Sequence, residues 1–216
     1  MAEPAHLNDS PDLRAKLRNV PIQARSRERL RRVLDAADQV LADEGPESFT
    51  TTRIAQAAGV PVGSVYRYFP DKQAIVEALA VSYWSDFEDL VAGVAETDER
   101  YPLEDPSSAI LDTLAAGFRA RPGFRALWYG GLRTEAVRDA TRPTRVAIAR
   151  SVARIFAVHR PDAPESDRLA VARMVVLAGD GLLREAFRVD PDGDPTVLAE
   201  SKRMLDAYTD ARLGTS

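Results

Sequence analysis

The chain of 216 residues contains no cysteine, which rules out a disulfide framework, a thiolate metal site and a cysteine nucleophile. It has only two imidazoles, His6 and His159. The first belongs to an N-terminal tail expected to be loose. The second stands just before the break "RPDAP" (160–164), where a histidine can settle the end of a helix. Zinc sites and Ser-His-Asp triads need several partners each, so two separated histidines argue against both. No run approaches the roughly 18 consecutive apolar residues that cross a bilayer, and the first residues carry no apolar signal segment, so a cytoplasmic protein is expected. No stretch alternates as strands do, and no internal repeat is visible. What is present, 45% hydrophobic and 29% charged residues, suits one ordinary domain or two small ones with a sizeable core.

The net charge of −4 hides a division. Residues 13–32, "LRAKLRNVPIQARSRERLRR", hold eight basic residues (Arg14, Lys16, Arg18, Arg25, Arg27, Arg29, Arg31, Arg32) against one acid, Glu28. From residue 73 onward there are 18 Lys and Arg against 23 Asp and Glu. A basic head on a mildly acidic body fits a nucleic-acid partner better than the average charge does, although a basic run is also a common solvated face.

Apolar spacing gives the local structure. After Ser26, a candidate N-cap, Leu30, Val33, Leu34, Ala37, Val40 and Leu41 follow the three-and-four rhythm of one helical face, which stops at Gly45. "TTTRIAQAAG" (50–59) offers Thr50 as an N-cap, turns Ile54, Ala55 and Ala58 inward, and ends at Gly59. A third short helix follows, with Val60, Val65 and Phe69 facing inward and Val62, Gly63, Ser64, Arg67 and Tyr68 outward to varying degrees. Tyr66 stands at the boundary. Two short helices joined by a tight glycine turn and braced by a longer one make a helix-turn-helix, whose second helix enters a major groove.

The stretch "AGVPVGSVYRYFPDK" (58–72) suits that role. Small residues at Gly63 and Ser64 let backbone N–H groups approach phosphates and base edges. Tyr66, Tyr68 and Lys72 supply phenols and a charge, and Thr51 supplies a hydroxyl from the preceding helix. The bland alternative is that Tyr66 and Tyr68 pack between helices, since one of Tyr68 and Phe69 must cover the core.

Residues 26–79, about a quarter of the chain, resemble the DNA-binding domain of the TetR family of transcriptional regulators, through "IAQAAGV", "GSVYRYF" and the lysine three residues after the phenylalanine. The resemblance implies that Thr51, Ser64, Tyr66 and Lys72 hold phosphates and that Thr52, Val62, Gly63 and Arg67 stand where base edges are read. One departure is Pro61, where serine is common. Proline lacks the hydroxyl and the N–H but pre-sets its dihedral for a helix start.

The remainder reads as helix throughout, which makes the expected fold all-α. A long helix after Asp71 carries Ile75, Leu79, Tyr83, Phe87, Leu90 and Val94. Breaks at "YPLEDP", "RPG", "TRP", "RPDAP" and "VDPDGDP" then cut the chain into about five more helices. The resulting division is a basic arm (1–25), a helix-turn-helix domain (26–72) and a helical body (73–216) that the resemblance makes effector-binding and dimerising. Aromatics concentrate early in the body, at Tyr83, Trp84, Phe87, Phe118, Phe124, Trp128 and Tyr129, the set expected to line an apolar ligand pocket if it is not plain core. The last two helices, about 165–187 and 195–212, include "VVLAGDGLLREAF" with Gly179 and Gly181, each costing a helix roughly 1 kcal/mol unless close packing compensates. By resemblance this pair forms a four-helix bundle with a symmetry mate. An ordinary intramolecular bundle is the alternative.

These features point to a dimeric repressor of palindromic operator DNA that responds to a small-molecule effector. A helix-turn-helix activator, or an architectural DNA binder without a ligand, comes second. No Glu/His or Ser/Lys constellation supports an enzyme, and neither cofactor nor metal is expected.

Overall fold

The computed structural model describes residues 17–18 and 23–214, which contain ten helices and no strand. The first four are α1 (Ala24–Ser48), α2 (Thr51–Ala57), α3 (Val62–Tyr68) and α4 (Lys72–Arg100). The next six are α5 (Pro106–Ala120), α6 (Pro122–Tyr129), α7 (Glu135–Ala140), α8 (Arg142–His159), α9 (Glu165–Val189) and α10 (Pro195–Leu213). Proline and glycine breaks predict about five helices after α4. The additional one is the single-turn α7, started by Thr134, whose Oγ1 accepts the Val137 N–H at 3.3 Å. Most of the basic arm, residues 1–16 and 19–22, lies outside the described residues, and Ala24 and Arg25 already belong to α1.

The three-and-four spacing of α1 is realised: Leu30, Val33, Leu34, Ala37, Val40 and Leu41 are all buried. Burial of each large aliphatic side chain contributes about 1.5–3 kcal/mol before entropy is counted. Gly45, with φ of 77°, breaks the helical run where the sequence places its end, and one further turn follows it through Ser48. Ser26 is not the cap. α1 begins at Ala24 after Gln23, which makes no side-chain capping bond, because the Ser26 hydroxyl is engaged elsewhere, 2.9 Å from the Tyr68 phenol.

The residues pack as two compact units. One takes the chain through Asp86 together with Arg121–Pro143; the other takes Phe87–Ala120 and everything from Thr144. The sequence assigns 121–143 to the C-terminal body, whereas packing joins it to α1, because α6 lies along that helix. Two glycines permit the approach. A β-carbon on Gly123 would come 2.9 Å from the main-chain oxygen of Asp38, and one on Gly130 would come 2.8 Å from Pro46 Cγ.

In the second unit α9 packs on α10 and both pack on α5, burying Ile110, Leu111, Phe118, Leu183, Phe187 and Leu205. The interior also holds a carboxylate. Asp98, with 0% exposure, accepts the Leu103 N–H at 2.8 Å and lies 2.9 Å from His159 Nε2, so His159 fastens the end of α8 to the end of α4.

Candidate nucleic-acid interface

The surface begins with local chemistry at the α2 start. Thr50 Oγ1 accepts the Arg53 N–H at 3.1 Å, a cap worth about 1 kcal/mol. Arg53 then forks onto Glu44 near the end of α1, with Nε 3.0 and 2.9 Å from the two carboxylate oxygens, and this hydrogen bond holds the Glu44 carboxyl below its ordinary range. α2 stops at Ala57, and Gly59 takes φ of 63°, the left-handed turn a glycine accommodates. Pro61, at φ −59° and ψ 142°, precedes α3, and its carbonyl accepts the Ser64 N–H at 2.8 Å. Ile54, Ala55 and Ala58 of this segment meet the same core as Val65 and Phe69, all buried.

Outside that core stand the residues expected at DNA. Thr52, Gly63, Tyr66 and Arg67 are exposed, and Thr51, Val62, Ser64 and Lys72 are half-buried. Thr51 Oγ1 and the Tyr66 hydroxyl lie 3.1 Å apart, so α2 and α3 present two linked hydroxyls. Lys72 Nζ is 3.5 Å from the Pro46 carbonyl and 5.7 Å from the centre of the Phe49 ring, a placement that restrains the cation at the start of α4. A β-carbon on Gly63 would meet no protein atom within 4 Å, so this part of α3 is open to an approaching duplex.

Tyr68 does not belong to this surface. It is 1% exposed, and its phenol lies 2.9 Å from Ser26 Oγ and donates to the Ser26 carbonyl at 3.1 Å. Tyr68 and Phe69 both cover the core, because α3 ends there and Phe69 turns into extended backbone. Sequence reasoning missed Ser26, Glu44 and Arg53 as supports of the surface. Nothing in the spacing of Glu44 and Arg53, nine positions apart, indicates that they meet.

The seven aromatic residues expected around a ligand separate into two clusters and a surface position. In the first unit Tyr83, Trp84, Phe124 and Trp128 pack on one another, with Phe124 and Trp128 stacked at 4.7 Å and the two indoles 5.9 Å apart. In the second unit Phe87 and Phe118 stack at 5.4 Å, and Phe118 stacks on Phe187 at 5.2 Å. Tyr129 is 41% exposed. The six clustered rings fill space against each other instead of framing one void, which is the ordinary behaviour of an aromatic core. A polar cavity of about 320 Å³ in the second unit is lined by Phe156, His159, Arg160, Asp206 and Asp210 among others, and by none of these seven residues.

Beside the first cluster lies a charged network. The Tyr83 hydroxyl donates to Asp38 Oδ1, and Arg121 Nη2 is 2.5 Å from Asp86 Oδ2, with Nη1 4.0 Å from Asp38 Oδ2. Burial pushes the Asp38 carboxyl up, opposed by the Tyr83 bond and the Arg121 charge, and burial drives the Tyr83 phenol well above its ordinary range.

Comparison with known proteins agrees with this architecture. The family described as "Bacterial regulatory proteins, tetR family" matches residues 33–79, and "Tetracyclin repressor-like, C-terminal domain" matches residues 102–213. The HTH-type transcriptional repressor KstR of Rhodococcus jostii (strain RHA1) is 32% identical over 152 residues, which is 69% of this chain and 68% of that protein. The nucleoid occlusion factor SlmA of Actinobacillus pleuropneumoniae serotype 5b (strain L20) is 33% identical over 107 residues, and the chain spans about half, 51%, of its length. The crystal structure of a TetR-family transcriptional regulator from Streptomyces coelicolor is similar with a TM-score of 0.66 and 29% identity, over 86% of this chain and 99% of that one. Among the described residues no helix is long and apolar enough to cross a membrane. The protein is a DNA-binding transcriptional regulator and not an enzyme, and the chain belongs to the TetR family.

Proposed function

We propose that the protein is a ligand-responsive repressor, a homodimer that binds a palindromic operator and is released by a small apolar effector. The observation that carries this reading is the open face around Gly63, flanked by the Thr51–Tyr66 hydroxyl pair and by Lys72. Thr51, Ser64, Tyr66 and Lys72 contact phosphates, and Thr52, Val62, Gly63 and Arg67 read base edges. In this assignment residues 26–72 read DNA, residues 1–25 form a basic arm, and the remainder from residue 73 binds effector and dimerises. Such a role places the protein in the cytoplasm with the chromosome. KstR, a repressor by name, supports the sign of regulation.

Dimerisation runs through α9 and α10. Met174 and Leu177 on α9 and Met204 on α10 are exposed apolar side chains on the two helices that pair with each other. A two-fold contact through them gives the symmetry a palindrome requires.

Lys72→Ala is expected to weaken binding about equally across operator variants and to shallow the salt dependence by roughly one ion per half-site, since a phosphate contact carries no sequence information. Binding isotherms over a range of salt, on a duplex selected from a randomised pool, measure both. An unchanged slope in a folded variant counts against the assignment.

The effector response has its own readout. An apolar molecule entering either aromatic cluster must part rings that now stack, and Trp84 and Trp128, the only indoles, sit 5.9 Å apart in one of them. Its titration should therefore change tryptophan emission, and Trp128→Phe should remove much of the signal. Coupling of about 1–3 kcal/mol is typical and reciprocal, so operator DNA should weaken effector binding by the same factor. The second reading, an architectural DNA binder without a ligand, is favoured by the filled clusters, in which the rings pack on one another. A library screen in which no compound both releases DNA and perturbs emission would select it.

A further inference from the structure

We infer that Arg18 is a further DNA contact, a guanidinium held against the phosphodiester backbone beside the C-terminal end of α3. Its main-chain N–H donates to the Tyr68 carbonyl at 2.8 Å. Tyr68 is the last residue of α3, so the arm crosses the end of the reading helix at Arg18. The same residue is fastened from the other side, where its phenol donates to the Ser26 carbonyl and meets the Ser26 hydroxyl. Arg18 and Ser26 are thus both tied to one buried side chain and its backbone, which fixes where the arm passes α3.

Two further facts give that position its chemistry. The Arg18 side chain is exposed and forms no ion pair with any acid among the described residues. The carbonyl end of a helix carries partial negative charge, which repels phosphate; Arg18 occupies one of those carbonyls and brings a full positive charge to the end of the helix that also carries the exposed Tyr66 and Arg67. The basic run from residue 13 to 32 then has one member with a defined place at the reading surface.

The inference rests on the proposed role of α2 and α3, and the test separates the two. The full chain is titrated by fluorescence anisotropy onto two duplexes, one selected by the wild type from a randomised pool and one of unrelated sequence. Arg18→Gln is expected to lower affinity about five- to tenfold on both at about 0.1 M salt and to reduce the salt slope by roughly one ion per protomer. Arg18→Lys should retain most of the affinity, and the thermal midpoint of both variants should match the wild type. Wild-type affinity and slope for Arg18→Gln, with Lys72→Ala impaired, overturn the Arg18 assignment alone. A loss confined to the selected duplex and tracking the identity of flanking base pairs means base reading and overturns the phosphate assignment. A wild type that binds neither duplex overturns the reading of α2 and α3 as well.

Discussion

Replacing Gly123 with alanine is expected to lower the unfolding free energy by about 3 kcal/mol, the upper part of the usual range for overpacking a filled interior. A β-carbon at this position comes 2.6 Å from the Tyr83 hydroxyl and 2.9 Å from the main-chain oxygen of Asp38, and nearer still to Asp38 Oδ1. None of these groups gives way easily. The Asp38 oxygen is part of the α1 backbone, and Tyr83 is buried and bonded to the same aspartate. Relief therefore requires α6 to move off α1. That would loosen Phe124 from Tyr83 and Trp84, whose rings it meets edge-on at 5.4 and 6.5 Å. Urea denaturation followed by tryptophan emission measures the change. Gly63→Ala is the matched control: its β-carbon meets nothing within 4 Å, Gly63 lies in the first turn of α3, and alanine is the better helix former. The control should leave stability equal or higher while impairing DNA binding. Equal destabilisation by the two substitutions would contradict the close approach of α6 to α1.

Asp98→Ala is expected to cost about 3 kcal/mol, because removing one partner of a buried polar group strands the others. The carboxylate is fully buried and serves two groups at once, the Leu103 N–H at 2.8 Å and His159 Nε2 at 2.9 Å. Without it the turn after α4 loses its anchor, and the imidazole at the end of α8 loses its acceptor. The neighbouring pair of Glu99 with Arg154, 2.8 Å apart but open to water on both sides, provides the comparison, and Glu99→Ala should leave stability little changed. Asp98→Asn keeps a carbonyl for the Leu103 N–H and should fall between the two. Thermal unfolding of the three variants orders them, and a silent Asp98→Ala would show that the pair holds nothing.

The parts of the fold legible in the sequence are those set by local chemistry. The apolar rhythm of α1, the stop at Gly45, the Thr50 cap and the Gly59 turn depend on neighbours within a turn or two. The outward face of α3 is legible for the same reason: Val65 and Phe69 fix which way α3 rolls, and the exposure of Gly63 and Tyr66 follows. Tyr68 was not legible, because its burial depends on Ser26, 42 positions earlier, offering both a hydroxyl and a carbonyl. Ser26 was misread through the same bond, since a serine near a helix start resembles a cap unless its distant partner is known. The grouping of 121–143 with α1 was equally hidden. Gly123 reads as part of a break, "RPG", and its packing role exists only once Asp38 and Tyr83 are beside it. The aromatic set was recognised as a feature, but a list of rings does not reveal whether they frame a void or fill it, and here six of the seven stack into two clusters.

The seating of α6 on α1 also bears on exchanging specificities between relatives. A chimaera joined at residue 72 would carry α1, α2 and α3 of one parent and the α6 of another, so Asp38 would face a foreign residue at the position of Gly123, and Pro46 one at the position of Gly130. Any larger side chain at either position would clash before DNA is ever met. A functional transplant of the reading head must therefore bring residues 121–143 with it, or a recipient that already has glycine at both positions, and a failed hybrid would report an incompatible seam instead of an incompatible operator.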